Sequence, residues 1–369
     1  MKKPRLASIE YIRGIAMLGV IGIHAGSAYS EIPAANMHIV AVMEIMTRFS
    51  VPIFFFISAF GLFYNLDLRE KFQYSNFLRR RFRVVLIPYL FWSFFYLLQN
   101  SIFHHTPFPD AITIVYNLFF GTAKYHIYFL VILLWFYIGM PLWIWIVKNS
   151  GRISLLCLFL LQIAFNYISS TILWNIQPEN PLLNDLLTYR LNYWVLHYLF
   201  IFLLGGWLAT HLTSFRMFLR KHWPALCLFF SCTLLLMLFS YYQAILQDGL
   251  TAAEAADTVH QLTPAGIFYT LAASLFFFGL FSSQQHYPAC LNPLLSLLGH
   301  HSYFIYLAHP LMINIFDFSL QRAGISLTAP LAFIFYTLIV ASTVLLAIWV
   351  RYLGRQLPVI NLLTIGSRH

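Results

Sequence analysis

Charged residues are what this chain has least of. Asp, Glu, Lys and Arg make up 9% of its 369 residues, where a soluble domain carries roughly a quarter. That shortage excludes an ordinary soluble globular protein. With 60% hydrophobic residues and a mean hydropathy of +0.74, the chain reads as an all-α, polytopic membrane protein. Cysteine is scarce too. Cys157, Cys227, Cys232 and Cys290 are scattered with no C-x-x-C spacing, which excludes a disulfide framework and a zinc site, so no metal is expected. The N-terminus lacks an uninterrupted signal-peptide core, because Glu10 and Arg13 break it; a retained first span is expected instead. No internal repeat and no appended soluble domain is visible, so residues 1–369 are expected to form a single membrane domain. The net charge of +10 might suggest nucleic acid, but the basic residues sit in short loops between apolar runs. That is a topology signal.

What is present is a series of ten apolar runs, near 7–28, 38–64, 83–103, 125–147, 153–173, 190–211, 223–243, 263–283, 301–318 and 328–352. Aromatic residues at 18%, with 37 Phe and 22 Tyr, suit spans and interfacial belts. Alternating the loops puts 17 of the 22 Lys and Arg on one side, from Lys2, Lys3 and Arg5 to Arg351–Arg368. The opposite loops carry Lys124, Arg190 and Arg322. By the positive-inside rule both termini of this multi-pass protein are expected in the cytoplasm.

The first span carries Arg13 and His24, eleven residues apart. At the helical period they lie within roughly 20° of each other around the axis and roughly 16–17 Å apart along it. Ionisable groups at such depth are functional candidates. The blander reading has Arg13 snorkelling to headgroups and His24 bonding a carbonyl.

Further candidates follow along the chain. Glu44 and Arg48 in the second span are one turn apart and either neutralise each other locally or belong to a site. Pro52 is expected to bend that span. Arg80 and Arg83, three residues apart before the third span, read as lipid anchors or as a phosphate clamp. The outer loop from Trp174 to Asn192 has a composition that suits either sugar recognition or an interfacial belt. His197 is expected to be a satisfied structural histidine, and Gln243–Leu262 a short surface helix or lid. Tyr306 and His309 share a helix face ahead of Pro310, which is expected to free a carbonyl.

Arg13 and His24 with ten residues between them resemble the opening signature of the membrane acyltransferase-3 family. Other landmarks come in that family's order. They are Arg48 with Val51-Pro52-Ile53-Phe54-Phe55, Arg80-x-x-Arg83 before Pro88-Tyr89, Tyr125-His126-Ile127-Tyr128-Phe129, and Gly299 to Pro310 with Ser302, Tyr303, Tyr306 and His309. Ser58-Ala59-Phe60 departs from the Ser-Gly-Tyr of many relatives. The resemblance covers nearly the whole chain. It implies transfer of an acyl group, acetyl or succinyl, from acyl-CoA to a hydroxyl of a cell-surface polysaccharide or glycolipid, usually in bacteria.

With that topology, Arg80, Arg83 and Arg13 lie toward the cytoplasm, where acetyl-CoA or succinyl-CoA is the co-substrate. His24 lies deeper and is expected to act as general base, with Glu44 as a candidate to orient its ring. Arg48, His126, Tyr303, Tyr306 and His309 are expected to support the site or bind acceptor. Partners are then membrane lipid, acyl-CoA and a surface glycan, with no nucleic acid. The competing expectation is a flippase or exporter of a glycan or small anion, which ten spans and buried charges also fit.

Overall fold

The protein is described by a computed structural model covering residues 4–27, 34–325 and 328–367. Met1–Lys3 and most of the loop before Asn36 lie outside the described residues. Among the described residues there are helices and no strands. In chain order they are α1 (Ala7–Ser27), α2 (Ala34–Thr47), α3 (Ser50–Tyr64), α4 (Tyr74–Phe103), α5 (Ala111–Phe120), α6 (Tyr128–Ile138), α7 (Met140–Asn149), α8 (Arg152–Thr171) and α9 (Pro181–Thr188). Then come α10 (Arg190–Tyr193), α11 (Leu199–Thr210), α12 (Leu212–Lys221), α13 (Trp223–Leu246), α14 (Ala252–Thr258), α15 (Pro264–Ser282), α16 (Asn292–Ala323), α17 (Ala329–Gln356) and α18 (Pro358–Ile365).

Eight of these stretches are long and apolar enough to cross a membrane. Two bent pairs raise the number to ten: α6 with α7, bent by 67°, and Val195–Thr210 with α12, bent by 101°. The directions of packed helices favour ten. α6 runs back along α4, with Phe77 against Tyr137 and Tyr96 against His126. Val195–Thr210 runs back along α8, with Gln162 bonding Leu196 and Phe159 against Phe200. Each bent pair thus contains a returning segment.

The chain divides into two compact units, Met1–Leu66 with Ile201–Ala347, and Asp67–Phe200 with Ile348–His369. In the first unit α1 packs along α16, α2, α3 and α15. The second span breaks between Thr47 and Ser50, just before Pro52 and not at it. Pro52 then occupies the first turn of α3, where a missing N–H costs no helical bond. The segment after α13 is indeed a short helix, α14, closed by Thr251 and Glu254: the Thr251 backbone N–H and hydroxyl both donate to Glu254, and Thr251 Oγ1 accepts from the Glu254 N–H.

In the second unit a polar stripe on α8 organises the neighbouring turn. Gln162 donates to the Leu196 carbonyl (2.7 Å) and accepts from the Phe200 N–H (3.0 Å). His197 is buried with Nδ1 3.1 Å from Asn166 Oδ1, the satisfied structural histidine expected. The stretch after α17 folds back on the second unit. Pro358–Ile365 is an apolar helix seated on α4, where the Trp92 indole donates to the Thr364 carbonyl (3.2 Å).

Candidate active site

The contact that builds the site lies far from its chemistry. Gly14 of α1 faces Leu298 and Gly299 of α16, and a side chain on Gly299 would overlap the Glu10 carbonyl oxygen. Only hydrogen atoms at these positions let the two backbones approach so closely. The Ser296 hydroxyl donates to Glu10 Oε1 (2.9 Å) at the same crossing. From this contact the helices run the same way. His24 lies ten residues beyond Gly14 and His309 ten residues beyond Gly299, roughly 15 Å along each axis. There the two imidazoles stack, with ring centroids 5.4 Å apart and planes inclined by 21°.

His309 is fully buried, whereas His24 is half-buried. Pro310 has no N–H to offer the Tyr306 carbonyl, the acceptor one helical turn back. His309 Nδ1 takes that place at 2.7 Å and lies 3.3 Å from the Ile305 carbonyl. A carbonyl can only accept, so Nδ1 carries the proton and Nε2 is the basic nitrogen of the neutral ring. The carbonyl freed by the proline is therefore used to fix a histidine. Tyr306 is buried with its ring 6.1 Å from that of His309 and 6.5 Å from Phe54. Tyr303, one turn nearer the glycine contact, is half-buried.

Glu44 and Arg48 form a 2.6 Å ion pair, both largely buried. Arg48 also donates to the Ala256 carbonyl (2.8 Å), so one guanidinium ties α2 to α14. Glu44 lies against α1, where a Cβ at Gly26 would stand 3.3 Å from its Oε2. Glu44, the carboxylate expected as a possible orienter of His24, pairs through Oε1 with Arg48, and the ring stacked on His24 is His309 of α16. Between α14 and α15, His260 accepts from the Leu262 N–H (3.1 Å). Burial, then the charge of Arg48, pushes its pKa down to about 4. Nothing around His260 forms a motif, so the sequence carries no signal for it.

Arg13 is exposed at the other end of α1, with Nη2 4.0 Å from where a Cβ at Gly61 would lie. It shares the first unit with His24, Glu44, Arg48, Tyr303, Tyr306 and His309. Among the described residues no group of three His, Cys, Asp or Glu side chains is placed to hold a metal ion.

Ordered motifs joined by this geometry agree with a family comparison. A family model described as an acyltransferase domain matches residues 6–352. The chain belongs to the acyltransferase-3 family. A separate comparison with known proteins finds a relative, the probable poly-beta-1,6-N-acetyl-D-glucosamine export protein of Staphylococcus aureus (strain MRSA252). It is 22% identical over 324 residues, covering 85% of this chain and 84% of that protein. No solved structure matches.

The remaining acyltransferase-3 landmarks fall in the second unit. Arg80 and Arg83 are exposed on the first turns of α4, and no carboxylate among the described residues pairs with either. Arg80 Nε donates to the Asn76 carbonyl (3.2 Å). Arg81 between them behaves differently and stacks over Phe77 and Tyr137. His126 is buried edge-on to Tyr96, at 5.5 Å and 89°, within its own unit.

Proposed function

We propose that this acyltransferase-3 protein moves an acyl group, acetyl or succinyl, from cytosolic acyl-CoA to a hydroxyl of a surface polysaccharide or glycolipid at a bacterial plasma membrane. The observation that carries this reading is the His24–His309 stack, with His309 locked by the carbonyl that Pro310 releases. Two imidazoles in contact can take up and pass on one proton, while a second proton would set like charges close together in a poorly screened interior. In the proposed step His24 removes the proton of the acceptor hydroxyl. The oxygen attacks the thioester carbonyl, the C–S bond breaks, and the departing thiolate recovers a proton to leave as CoA. His309 positions His24 and steadies its charged form.

Arg80 and Arg83 suit the donor's phosphates. They are exposed, adjacent on one helix face and unneutralised by any described carboxylate, and guanidinium forks bind phosphate at two points. The positive-inside bias supports a cytoplasmic position for them, with Arg13 toward the same side. Impermeant labelling of a cysteine introduced at Gly249, and none at Gln73, is the expected result in intact cells.

A second reading, export of a glycan, is favoured by the name of the Staphylococcus aureus relative. The two separate in one assay. Purified protein supplied with acetyl-CoA and succinyl-CoA and a surface-glycan acceptor should release CoA and add the matching mass to the glycan. Protein that moves glycan across a vesicle membrane but never consumes acyl-CoA would overturn the acyltransfer reading.

A further inference from the structure

The loop between α8 and α10 borders an open pocket of about 440 Å³, inside the roughly 300–1,000 Å³ range of small-ligand sites. Its lining includes Trp174, Gln177, Asn184, Leu187, Thr188 and Arg190. One wall is α9, which carries Asn184, Leu187 and Thr188 and is capped by Asn180, whose side chain accepts from the Leu183 N–H (3.2 Å). Arg190 fixes the rest. It is 2% exposed, with Nε on Ser169 Oγ (2.9 Å), Nη2 on the Ser169 carbonyl (2.7 Å) and Nη1 on the Leu187 carbonyl (2.7 Å). All three acceptors are neutral oxygens, so the guanidinium keeps its positive field. Its Cζ lies 5.5 Å from the Trp174 ring centroid, covering part of the indole, yet Trp174 remains 65% exposed.

We infer that this pocket is a carbohydrate subsite, taking a neutral or N-acetylated sugar unit of the acceptor glycan. The inference rests on the acceptor reading above. A sugar ring presents C–H groups on its faces and hydroxyls around its rim. The indole supplies a flat apolar platform beside a cation that stiffens it. Gln177 and Asn184 each offer an amide donor and an acceptor, and Thr188 offers a hydroxyl, matching hydroxyl and acetamido groups. A tryptophan that serves only as an interfacial anchor requires none of these polar neighbours. The rigid Arg190 brace holds the platform before ligand arrives, which lowers the cost of binding.

The test measures glycan binding without any acyl donor. Full-length protein in lipid nanodiscs is titrated with β-1,6-linked N-acetylglucosamine pentamer and with a neutral hexose pentamer. At least one should bind. Trp174→Ala should weaken it about tenfold and Trp174→Phe less, as expected for a lost stacking platform. Gln177→Ala should weaken it severalfold. Both positions are exposed, and unchanged thermal unfolding of the variants verifies that the fold is kept. Binding of neither sugar, or affinities unmoved by Trp174→Ala and Gln177→Ala, overturns the proposal. So does displacement of the sugar by the lipid headgroup glycerophosphoglycerol, which would assign the pocket to the membrane interface. A chain that binds glycan through Trp174 yet never consumes acyl-CoA would refute acyl transfer and leave the pocket standing. A chain that transfers normally with no sugar affinity at this pocket would do the reverse.

Discussion

His24 and His309 stand equally far from the glycine contact between α1 and α16, ten residues on each helix, and their rings stack at 5.4 Å. Equal offsets are possible only because the two helices run in parallel. With α1 as the first span, parallel packing requires both bent pairs to cross the membrane or neither, since one alone would reverse α16. The returning directions of α6 and Val195–Thr210 favour both. Helix packing and topology thereby support each other.

Gly299→Ala should damage the site from a distance. Its Cβ would overlap the Glu10 carbonyl oxygen, a backbone atom that cannot turn aside. The helices must part, at a cost of about 1–3 kcal/mol, and the histidine stack should loosen. Thermal unfolding and acyl transfer are both expected to fall; a variant with normal melting and full transfer would show that the close contact is dispensable.

His24→Gln and His309→Gln are each expected to reduce transfer per folded molecule by about 10² to 10⁴. The double variant should lose little more than the worse single one, because groups that act as a unit are not additive. Strictly additive losses would indicate two independent roles.

Pro310→Ala restores an N–H that can reclaim the Tyr306 carbonyl from His309. The helix should be kept or strengthened, since an interior proline costs it about 3 kcal/mol. Transfer should drop about two- to tenfold, the worth of one net hydrogen bond of roughly 0.5–1.5 kcal/mol. A stabilised protein with unchanged turnover would mean that the tautomer of His309 is set by something else.

Arg80→Ala with Arg83→Ala should weaken acyl-CoA binding and flatten its salt dependence, and Lys at both positions should restore it only in part, lacking the fork. Equal donor affinity in a folded double variant would return these residues to lipid anchoring.

His260 supplies a pH signature on stability. Its folded pKa of about 4 lies below the ordinary 6.5, so on acidification the unfolded chain takes the proton first. Its contribution, about 3 kcal/mol at most, is complete above about pH 6.5 and is lost as pH falls toward 4. Unfolding measured across that window should show a slope that His260→Gln removes. An unchanged slope in that variant would assign the pH dependence to other groups.

The sequence by itself determined the membrane class, the order of the spans and the motifs that mark the family, although α4 and α16 each begin nine residues before the spans expected at 83 and 301. Those are local signals: twenty apolar residues make a span whatever packs beside it, and spacing along one helix sets which side chains share a face. Arg13 with His24, Glu44 with Arg48, and Tyr306 with His309 were legible for that reason. Tertiary structure alone decided which of these pairs meet. That His24 stacks on His309 depends on a crossing permitted by two glycines 285 positions apart in the chain, and no helical period reports a contact at that separation. The Arg48–Ala256 tie and the Arg190 brace under Trp174 were hidden for the same reason, since each acceptor is mainly a backbone carbonyl, which every residue carries and no side-chain pattern announces.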